Sequence, residues 1–376
     1  MSSSISKKNI RNLKYALVVS VALIVVGIVY TQRSAPTSAP QGNTFRPTQA
    51  APSPATPYNG TFSASLFVPY WLINDSFAIP QAPSAHLDVL LYFGVTPQSN
   101  GTLQTDDPGY KNVQNFREAT QNIDAQTFIT VRMMNEDIIE AILKSPEKQA
   151  ILAAEVLDLA IQYHFDGIAL DLEHSVLPTQ ETIDRITAFV RTLSRSIHAQ
   201  DTQFALILYG DTYFRIRPYD VKKLADSIDM LYIMAYDFHK TFGTPGPNFP
   251  LQQGSIYPYS LDRMLADFSN DIPTSKISII FGLFGYDWAV DEQNRPLMRA
   301  GALTFAQIRS RFYENCPFEK CTITRDSTSA EQKIVYLKDG RQHVVWFEDP
   351  TSIQKKSDLL RVRGVSRIGF WAHGYY

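Results

Sequence analysis

Two carboxylates stand one residue apart in the segment FDGIALDLEH, Phe165 to His174. The apolar residues of this segment predict a buried strand, and residues two apart on a strand point to the same side. Asp171 and Glu173 therefore share one face, with Ala169 beneath them. A solvated sheet edge would explain the two charges, but neighbouring carboxylates are also what general acid and base catalysis requires.

Aromatic and acidic residues follow several other predicted strands. These strand ends carry Tyr70, Met234, Tyr236, Asp237, Tyr286, Trp288 and Trp371. Aromatic faces stack on sugar rings, while carboxylates and tyrosine hydroxyls supply hydrogen bonds and proton transfer. The sequence contains no cysteine and histidine cluster of the metal-site type and no glycine-rich phosphate loop, so it predicts a carbohydrate site without metal or cofactor. For any one of the aromatic residues, a place in the core is the alternative.

The elements that must position these residues are short apolar runs, which alternate with longer segments of helical periodicity. Strands that are apolar on both faces need helices outside their sheet, and the active site of such a barrel lies at the C-terminal strand ends. The sequence thus predicts an α/β fold, a (β/α)8 TIM barrel. Its strands are expected at Ser65 to Trp71, Val89 to Val95, Thr127 to Met133, Gly167 to Glu173, Phe204 to Gly210, Met230 to Asp237, Ile277 to Phe284 and Ser366 to Ala372.

One region departs from this alternation. The segment KIVYLKDGRQHVVWF places the turn pair Asp339-Gly340 between two strand-like runs, which is typical of a hairpin. We therefore expect a small β-rich insertion between strands seven and eight, over about residues 315–348. Cys316 and Cys321 bracket a short loop there, and their spacing suits a disulfide, with two free thiols as the alternative.

The N-terminal region predicts a membrane location. Residues 1–14 form a basic tail, residues 15–32 form an uncharged apolar run of roughly bilayer-spanning length, and residues 33–60 are rich in Pro, Ala, Ser and Thr. We expect a single-pass anchor in the lipid bilayer with its N-terminus in the cytoplasm, a linker, and an extracytoplasmic catalytic domain over residues 61–376. A cleaved signal peptide is the alternative.

The composition limits the partners of this domain. Of the 376 residues 44% are hydrophobic and 19% are charged, as in globular proteins, and the formal net charge is −2. Such a balance gives no general attraction to nucleic acid and suits neutral polymers.

Several dispersed segments resemble the family 18 glycoside hydrolases. DGIALDLE, Asp166 to Glu173, is similar to their DGxDxDxE signature, and MAYDFH, Met234 to His239, is similar to their motif on strand six. GLFGYDW, VWFEDPTSIQKKSDLL and GVSRIGFWAHGY resemble the closing segments of bacterial members related to spore peptidoglycan hydrolases. The resemblance runs in order from about Ser65 to Tyr376.

This resemblance implies substrate-assisted, retaining hydrolysis of β-1,4 bonds in N-acetylglucosamine polymers, either chitin-like or peptidoglycan. Glu173 would be the general acid and then the base, and Asp171 would orient the acetamido group of the sugar. Tyr236 would donate a hydrogen bond to the acetamido oxygen, Asp237 would contact the same sugar, and Trp371 would form the floor beneath it. Asp166 and Gly167 belong to the structural part of the motif.

Ala169 departs from the family pattern, which has an acid at this position. Because Asp171 and Glu173 remain, we expect an active enzyme with a shifted pH profile. A weakly active or inactive glycan-binding protein, resembling a lectin, is the alternative.

Overall fold

Eight parallel strands close into a barrel in which strands that follow one another in the chain are adjacent and the last strand pairs with the first. The structure is a computed structural model, and it describes residues 58–73, 87–314 and 316–376. The finding confirms the predicted eight-stranded α/β barrel. Its strands are β1 (Ser63–Pro69), β2 (Leu87–Val95), β3 (Gln126–Met133), β4 (Gly167–Leu172), β5 (Gln203–Tyr209), β6 (Met230–Ala235), β7 (Ile277–Gly282) and β13 (Arg367–Trp371).

Helices connect most of the strands, and polar caps mark where they begin. Ser145 accepts a hydrogen bond from the Lys148 N–H at the start of the fourth helix, and Asp349 accepts one from the Ser352 N–H at the start of the ninth. In the described residues the helices are α1 (Pro108–Lys111), α2 (Val113–Thr120), α3 (Glu136–Leu143), α4 (Pro146–Gln162), α5 (Gln180–His198), α6 (Val221–Leu224), α7 (Leu261–Ser269), α8 (Phe305–Ile308) and α9 (Pro350–Val362).

Strand β4 shows how the barrel divides its side chains. Ile168, Leu170 and Leu172 join the apolar core between strands and helices. Ala169 lies in a second apolar cluster with Phe128, Ile207 and other residues. Along each strand these residues alternate with the residues that pack against the helices. The second cluster therefore fills the inside of the barrel. Asp171 follows two residues after Ala169 and therefore points to the inside as well.

A five-stranded antiparallel sheet lies between β7 and β13 in the chain, in the order β10-β11-β12-β8-β9. The sheet begins at Phe284, well before residues 315–348, where the insertion is expected. The predicted seventh strand, Ile277 to Phe284, in fact contains the end of one strand and the start of the next. The barrel strand β7 ends at Gly282, and Phe284 already belongs to β8, which pairs with β12 and β9. The continuous apolar run conceals this change of sheet. The strands are β8 (Phe284–Val290), β9 (Gly301–Thr304), β10 (Glu319–Arg325), β11 (Gln332–Lys338) and β12 (Arg341–Phe347).

The two cysteines of the chain form a disulfide at the edge of this sheet. Cys316 precedes β10 and Cys321 lies within it. Both pack against a buried cluster that includes Phe312, Tyr336 and Phe347. The disulfide therefore closes a short loop over the apolar face of the inserted sheet.

The predicted membrane location is corrected. Within the ranges that the structure describes, no helix has both the length and the apolar character needed to cross a bilayer. The predicted anchor at residues 15–32, the basic tail before it and most of the linker lie outside those ranges. Neither the predicted bilayer partner nor the predicted extracytoplasmic placement is retained.

Candidate active site

A cleft of about 510 Å³ opens where the barrel strands end. Its walls come from the last residues of the strands, from the loops that follow them and from the inserted sheet. The strands deliver these side chains to one place because parallel strands all end on the same side of a barrel. The lining residues are Phe67, Trp71, Phe93, Arg132, Met134, Asp171, Glu173, Ile207, Tyr209, Met234, Tyr236, Asp237, Lys240, Phe284, Tyr286, Ala302, Leu303, Thr304, Gln307, Trp371 and Tyr375.

Asp171 and Glu173 lie together on this cleft at the end of β4. The Glu173 N–H donates to the Met133 carbonyl at 2.9 Å, so the ladder between β3 and β4 continues up to the acid. The Tyr209 hydroxyl, from the end of β5, donates a hydrogen bond to Oε2 of Glu173. Glu173 is thus anchored at backbone and side chain, while Asp171 Oδ1 is buried without a hydrogen-bond partner among the described residues.

Burial governs the protonation of this pair. It raises the pKa of Glu173, and the hydrogen bond from Tyr209 and then the charge of Lys240 oppose that rise. Burial, and next the charge of Glu173, raises the pKa of Asp171 well above its usual range, while the charge of Arg132 lowers it. Two such carboxyl groups share protons and titrate as a unit. The pair can therefore hold one proton at a pH where free carboxyl groups would be ionised.

Tyr236 and Asp237 follow β6, which lies two strands away from β4 around the barrel. Burial raises the pKa of Tyr236 well above its usual range, so its hydroxyl stays protonated and can donate a hydrogen bond. The backbone of Asp237 is left-handed, with φ of 58°, a conformation that Asp tolerates better than most residues. The Tyr286 hydroxyl on β8 donates to Asp237 Oδ1 at 2.6 Å, so the inserted sheet holds this carboxylate in place.

Trp371 ends β13, across the barrel from β4, and lies in a group of aromatic rings on the cleft. Its ring centroid lies 4.6 Å from that of Phe93, 5.8 Å from Phe67 and 6.4 Å from Tyr236. Trp71 adds a further ring at 6.2 Å and is 46% exposed. An aromatic surface surrounded by carboxylates and hydroxyl groups can stack on one face of a sugar ring and bind its polar substituents.

The structure brings most of the predicted site residues together, with two exceptions. Met234 and Tyr286 line the cleft, as do the residues described above. Tyr70 is not on its lining, because its ring lies beneath the Arg132 guanidinium, 4.8 Å from the centroid. Trp288 is fully buried in the apolar core of the inserted sheet, since it lies farther along β8 than Tyr286. Both residues support groups on the cleft rather than face it.

Asp166 and Gly167 lie at the opposite end of β4. Asp166 Oδ2 accepts hydrogen bonds from the N–H of Thr127 at 2.7 Å and from its hydroxyl at 3.1 Å. A Cβ at Gly167 would come within 2.2 Å of the Phe128 ring, so a side chain there would force the strands apart. These two residues set the entry and packing of β4. Ala169 is fully buried between them and the acids.

Several residues of the cleft have no role in the sequence-based prediction, among them Trp71, Arg132, Tyr209 and Lys240. Tyr209 ends a predicted strand, so its position was a usable signal. Arg132 is a charged residue inside an apolar run, which is unusual enough to indicate a function. Lys240 follows the strand-six motif in a loop, and nothing in the sequence shows that its ammonium lies 5.1 Å from the Tyr209 ring centroid. Among the described residues no group of three or more Asp, Glu, His and Cys is arranged to hold a metal ion.

Comparisons with known proteins agree with this arrangement. A model of the glycosyl hydrolases family 18 matches residues 66–375. The chain is 26% identical over 252 residues to YdhD of Bacillus subtilis, which covers 65% of this chain and 56% of that protein. It is 25% identical over 312 residues to the cortical fragment-lytic enzyme of Bacillus anthracis, which covers 81% of this chain and 67% of that protein. The chain thus spans little more than half the length of the first of these relatives.

Solved structures show the same fold. The Bacillus cereus spore cortex-lytic enzyme SleL superposes with a TM-score of 0.66 at 22% identity, over 85% of this chain and 72% of that one. The Group IV chitinase of Ostrinia furnacalis, in complex with allosamidin, superposes with a TM-score of 0.71 at 14% identity, over 83% of this chain and 92% of that one. At such identities the similarity concerns the fold alone.

Proposed function

The chain belongs to the glycosyl hydrolases family 18, and from that premise we propose that it hydrolyses β-1,4 bonds beside N-acetylglucosamine in chitin-like polymers or peptidoglycan. The observation that carries the proposal is the grouping of Asp171, Glu173, Tyr236 and Asp237 around Trp371 in a single cleft. Relatives named as cortical fragment-lytic enzymes and chitinases support the two substrate classes.

The proposed reaction begins with proton transfer from Glu173. Its carboxyl group protonates the glycosidic oxygen, the bond to the anomeric carbon breaks, and the acetamido oxygen of the same sugar attacks that carbon from the other side. The product of this step is a cyclic oxazolinium ion. Asp171 lies next to the acid on β4 and would align the acetamido N–H and stabilise the positive charge.

The second half of the reaction uses the same acid as a base. The Glu173 carboxylate takes a proton from a water molecule, whose oxygen attacks the anomeric carbon and reopens the oxazolinium ring. The configuration of the anomeric carbon is therefore retained, and Glu173 regains its proton. The Tyr236 hydroxyl would donate a hydrogen bond to the acetamido oxygen, and Asp237 would bind a sugar hydroxyl. Both groups would belong to the sugar ring that stacks on Trp371.

The second candidate is a glycan-binding protein with little or no turnover. The observation that favours it is Ala169, which is fully buried in the barrel below Asp171 and provides no third acid. The cleft would then bind the same sugars through the aromatic rings around Trp371. Retention of Glu173, with its hydrogen bond from Tyr209, favours the enzyme.

A comparison of two glutamine variants tests the proposal. Removal of a general acid reduces the rate by about 10²- to 10⁴-fold, so Glu173→Gln should release almost no product. Glu147→Gln changes an exposed glutamate at the start of α4 and should retain full activity. Products from chitin oligomers and from peptidoglycan strands, measured in parallel by mass spectrometry, identify the substrate class. Equal product release by the wild type and Glu173→Gln would contradict the hydrolase and leave the glycan-binding candidate, which a binding isotherm then measures.

A further inference from the structure

Arg132 places a permanent positive charge next to the acids of the cleft. It lies on β3 directly opposite Asp171 on β4, in the pairing that matches Thr130 with Ala169. Paired residues of neighbouring parallel strands point to the same side of the sheet, so the two side chains share the inside of the barrel. The Arg132 side chain is only 14% exposed. It is thus a buried cation beside a buried acid.

Several contacts hold the guanidinium in this position. Its Nη2 donates to the Thr96 hydroxyl at 2.7 Å, and the group lies over the rings of Tyr70 and Phe93, at 4.8 and 5.5 Å from their centroids. Asp107 is 3.8 Å away, a distance that leaves the ion pair loose. A charge held by a hydroxyl and two aromatic rings is only weakly neutralised by its own supports. The positive charge of Arg132 therefore acts on the acids of the cleft.

Both partners of the pair retain unused hydrogen-bonding capacity. Arg132 Nε and Asp171 Oδ1 are buried, and neither has a hydrogen-bond partner among the described residues. Such groups are rare in protein interiors because each costs free energy, and they often mark a function. Arg132 Nε can therefore still donate a hydrogen bond and Asp171 Oδ1 can still accept one, and the two residues lie on adjacent strands.

The charges around the acid pair divide between its two members. Arg132 on β3 acts on Asp171, whose other charged or titratable neighbours are Glu173 after β4, Tyr236 after β6 and Tyr219 after β5. Lys240 and Arg217 act instead on Glu173 and lower its pKa, while the charge of Asp237 after β6 raises it. The Arg217 guanidinium is 3.6 Å from the Tyr209 ring centroid, next to the hydroxyl that binds Glu173. In the part of the chain that the structure describes, Arg132 is the cation that favours the charged form of Asp171.

We propose that Arg132 is a positioning residue that directs the proton shared by the two acids to Glu173, by holding Asp171 as the carboxylate. The proposal rests on the proposed hydrolase function, in which Glu173 must enter the reaction protonated and Asp171 ionised. With Ala169 below it, Asp171 has no acid of its own strand to share a proton with except Glu173. The cation on β3 therefore opposes burial and the charge of Glu173, both of which favour the protonated form of Asp171.

The test compares Arg132→Met with Arg132→Lys across the pH range, using a chitin oligomer or whichever glycan the wild type cleaves. Without the cation, the proton moves to Asp171 and Glu173 is left ionised. We expect kcat to fall on the order of a hundredfold and both limbs of the pH profile to move to higher pH. Arg132→Lys keeps the charge and should restore the wild-type limbs and most of the rate. Arg309→Met, an exposed residue after α8, is the control and should match the wild type.

A fall in rate with an unchanged pH profile would overturn the proposal, because loss of packing alone lowers the rate equally at every pH. Equal profiles for the Met and Lys variants would overturn it as well. If Arg132→Met fails to fold, Thr96→Val removes the hydrogen bond to Nη2 and keeps the charge. It should move the limbs in the same direction by a smaller amount, and unchanged limbs would count against the role.

A measurement without turnover separates this proposal from the proposed function. In a chain with ¹³C-labelled aspartate carboxyl groups, Asp171 is assigned by comparison with Asp171→Asn and titrated by NMR. Its pKa should be higher in Arg132→Met than in the wild type and should return in Arg132→Lys. That result supports the role of Arg132 even if no glycan is cleaved, whereas an Asp171 titration that is the same in all three proteins refutes it.

Discussion

Two groups of buried charge in this protein differ in where they face. The first is the acid pair of the cleft, Asp171 and Glu173. The second, which we call the interface cluster, consists of Glu331, Glu348 and Lys356, whose side chains are completely inaccessible to solvent. The Lys356 ammonium donates to Glu331 at 2.7 Å and to Glu348 at 2.5 Å. This cluster joins the inserted sheet to helix α9.

The interface cluster reaches neutrality within itself. Burial raises the pKa of Glu348 to about 8, so at neutral pH this acid is protonated and adds no charge to the ion pair between Lys356 and Glu331. Glu331 also accepts hydrogen bonds from the N–H groups of Asn248 at 2.6 Å and Phe249 at 2.8 Å. The acid pair of the cleft is instead open on one side, where a substrate can supply the missing contacts. Glu348 Oε1 of the interface cluster is, like Asp171 Oδ1, buried without a hydrogen-bond partner among the described residues. Burial of charge alone therefore does not identify the active site, whereas access from the cleft does.

The largest test of this contrast is Lys356→Met. Without its cation, the interface cluster holds buried carboxyl groups with no compensating charge. We expect the free energy of unfolding to fall by about 3–5 kcal/mol. Urea unfolding measures that loss, while kcat per folded molecule should stay at the wild-type value.

The adjacent lysine provides the control for this variant. Lys355 is exposed on the same helix, and Lys355→Met should change the stability by less than about 0.5 kcal/mol. A Lys356→Met protein that keeps its stability but loses its activity would reverse the contrast and place the interface cluster in the catalytic machinery.

The pH dependence of stability sharpens the comparison. The folded-state pKa of Glu348, about 8, lies above the ordinary glutamate value of 4.5. Between these values the folded protein binds a proton that the unfolded chain has released. The stability from Glu348 is thus complete below the unfolded pKa and is lost as the pH rises through the folded one, by up to about 1.4 kcal/mol per pH unit. Urea unfolding between pH 5 and pH 8 should show a shallower decline for Glu348→Gln, and parallel declines would contradict the assignment.

More of the barrel than of the inserted sheet could be predicted from the sequence. Apolar runs such as that of β4 read directly as buried parallel strands. The run from Ile277 to Phe284 reads the same way, yet the chain leaves the barrel after Gly282. Periodicity records burial and not the sheet in which a strand is buried, so it could not locate the start of β8 at Phe284. Long-range pairing with β12 decides that boundary.

The residues of the site also differ in whether local spacing or contact between distant segments brings them together. Asp171 and Glu173 could be predicted because a local two-residue spacing puts them on one face. The Tyr286 hydroxyl on Asp237 depends on contact between β8 and the end of β6, which no local pattern encodes. Arg132 also needs the register between β3 and β4 before its relation to Asp171 becomes visible. Contacts between distant segments are what the sequence left undetermined.

A smaller effect is expected where the inserted sheet meets the cleft. Tyr286→Phe removes the hydrogen bond to Asp237, whose pKa burial raises and that bond lowers. We expect about a tenfold loss in kcat/KM, equivalent to about 1.4 kcal/mol, and a shift of the acid limb to higher pH. Steady-state kinetics at several pH values measure both.

Tyr336→Phe is the matched control. It removes a hydrogen bond of the same 2.6 Å length, from the Tyr336 hydroxyl to Asp287, within the same inserted sheet but away from the cleft lining. This variant should lose some stability and keep its kcat/KM. Equal kinetic losses in the two tyrosine variants would mean that the inserted sheet acts on catalysis through general packing and not through Asp237.

The smallest effect concerns the aromatic residue with which the first predicted strand ends. Trp71 is 46% exposed on the cleft and lies 6.2 Å from Trp371, so its ring can extend the surface on which a glycan stacks. Aromatic contacts of this kind contribute about 0.5–1.5 kcal/mol, so Trp71→Ala should raise KM about two- to tenfold and leave kcat nearly unchanged. Phe242→Ala is the control, because that ring is 76% exposed but outside the cleft lining. If the KM for long oligomers is unchanged, the exposed Trp71 ring contributes no binding energy. Sugar stacking in the cleft would then be restricted to the sugar ring that lies on Trp371.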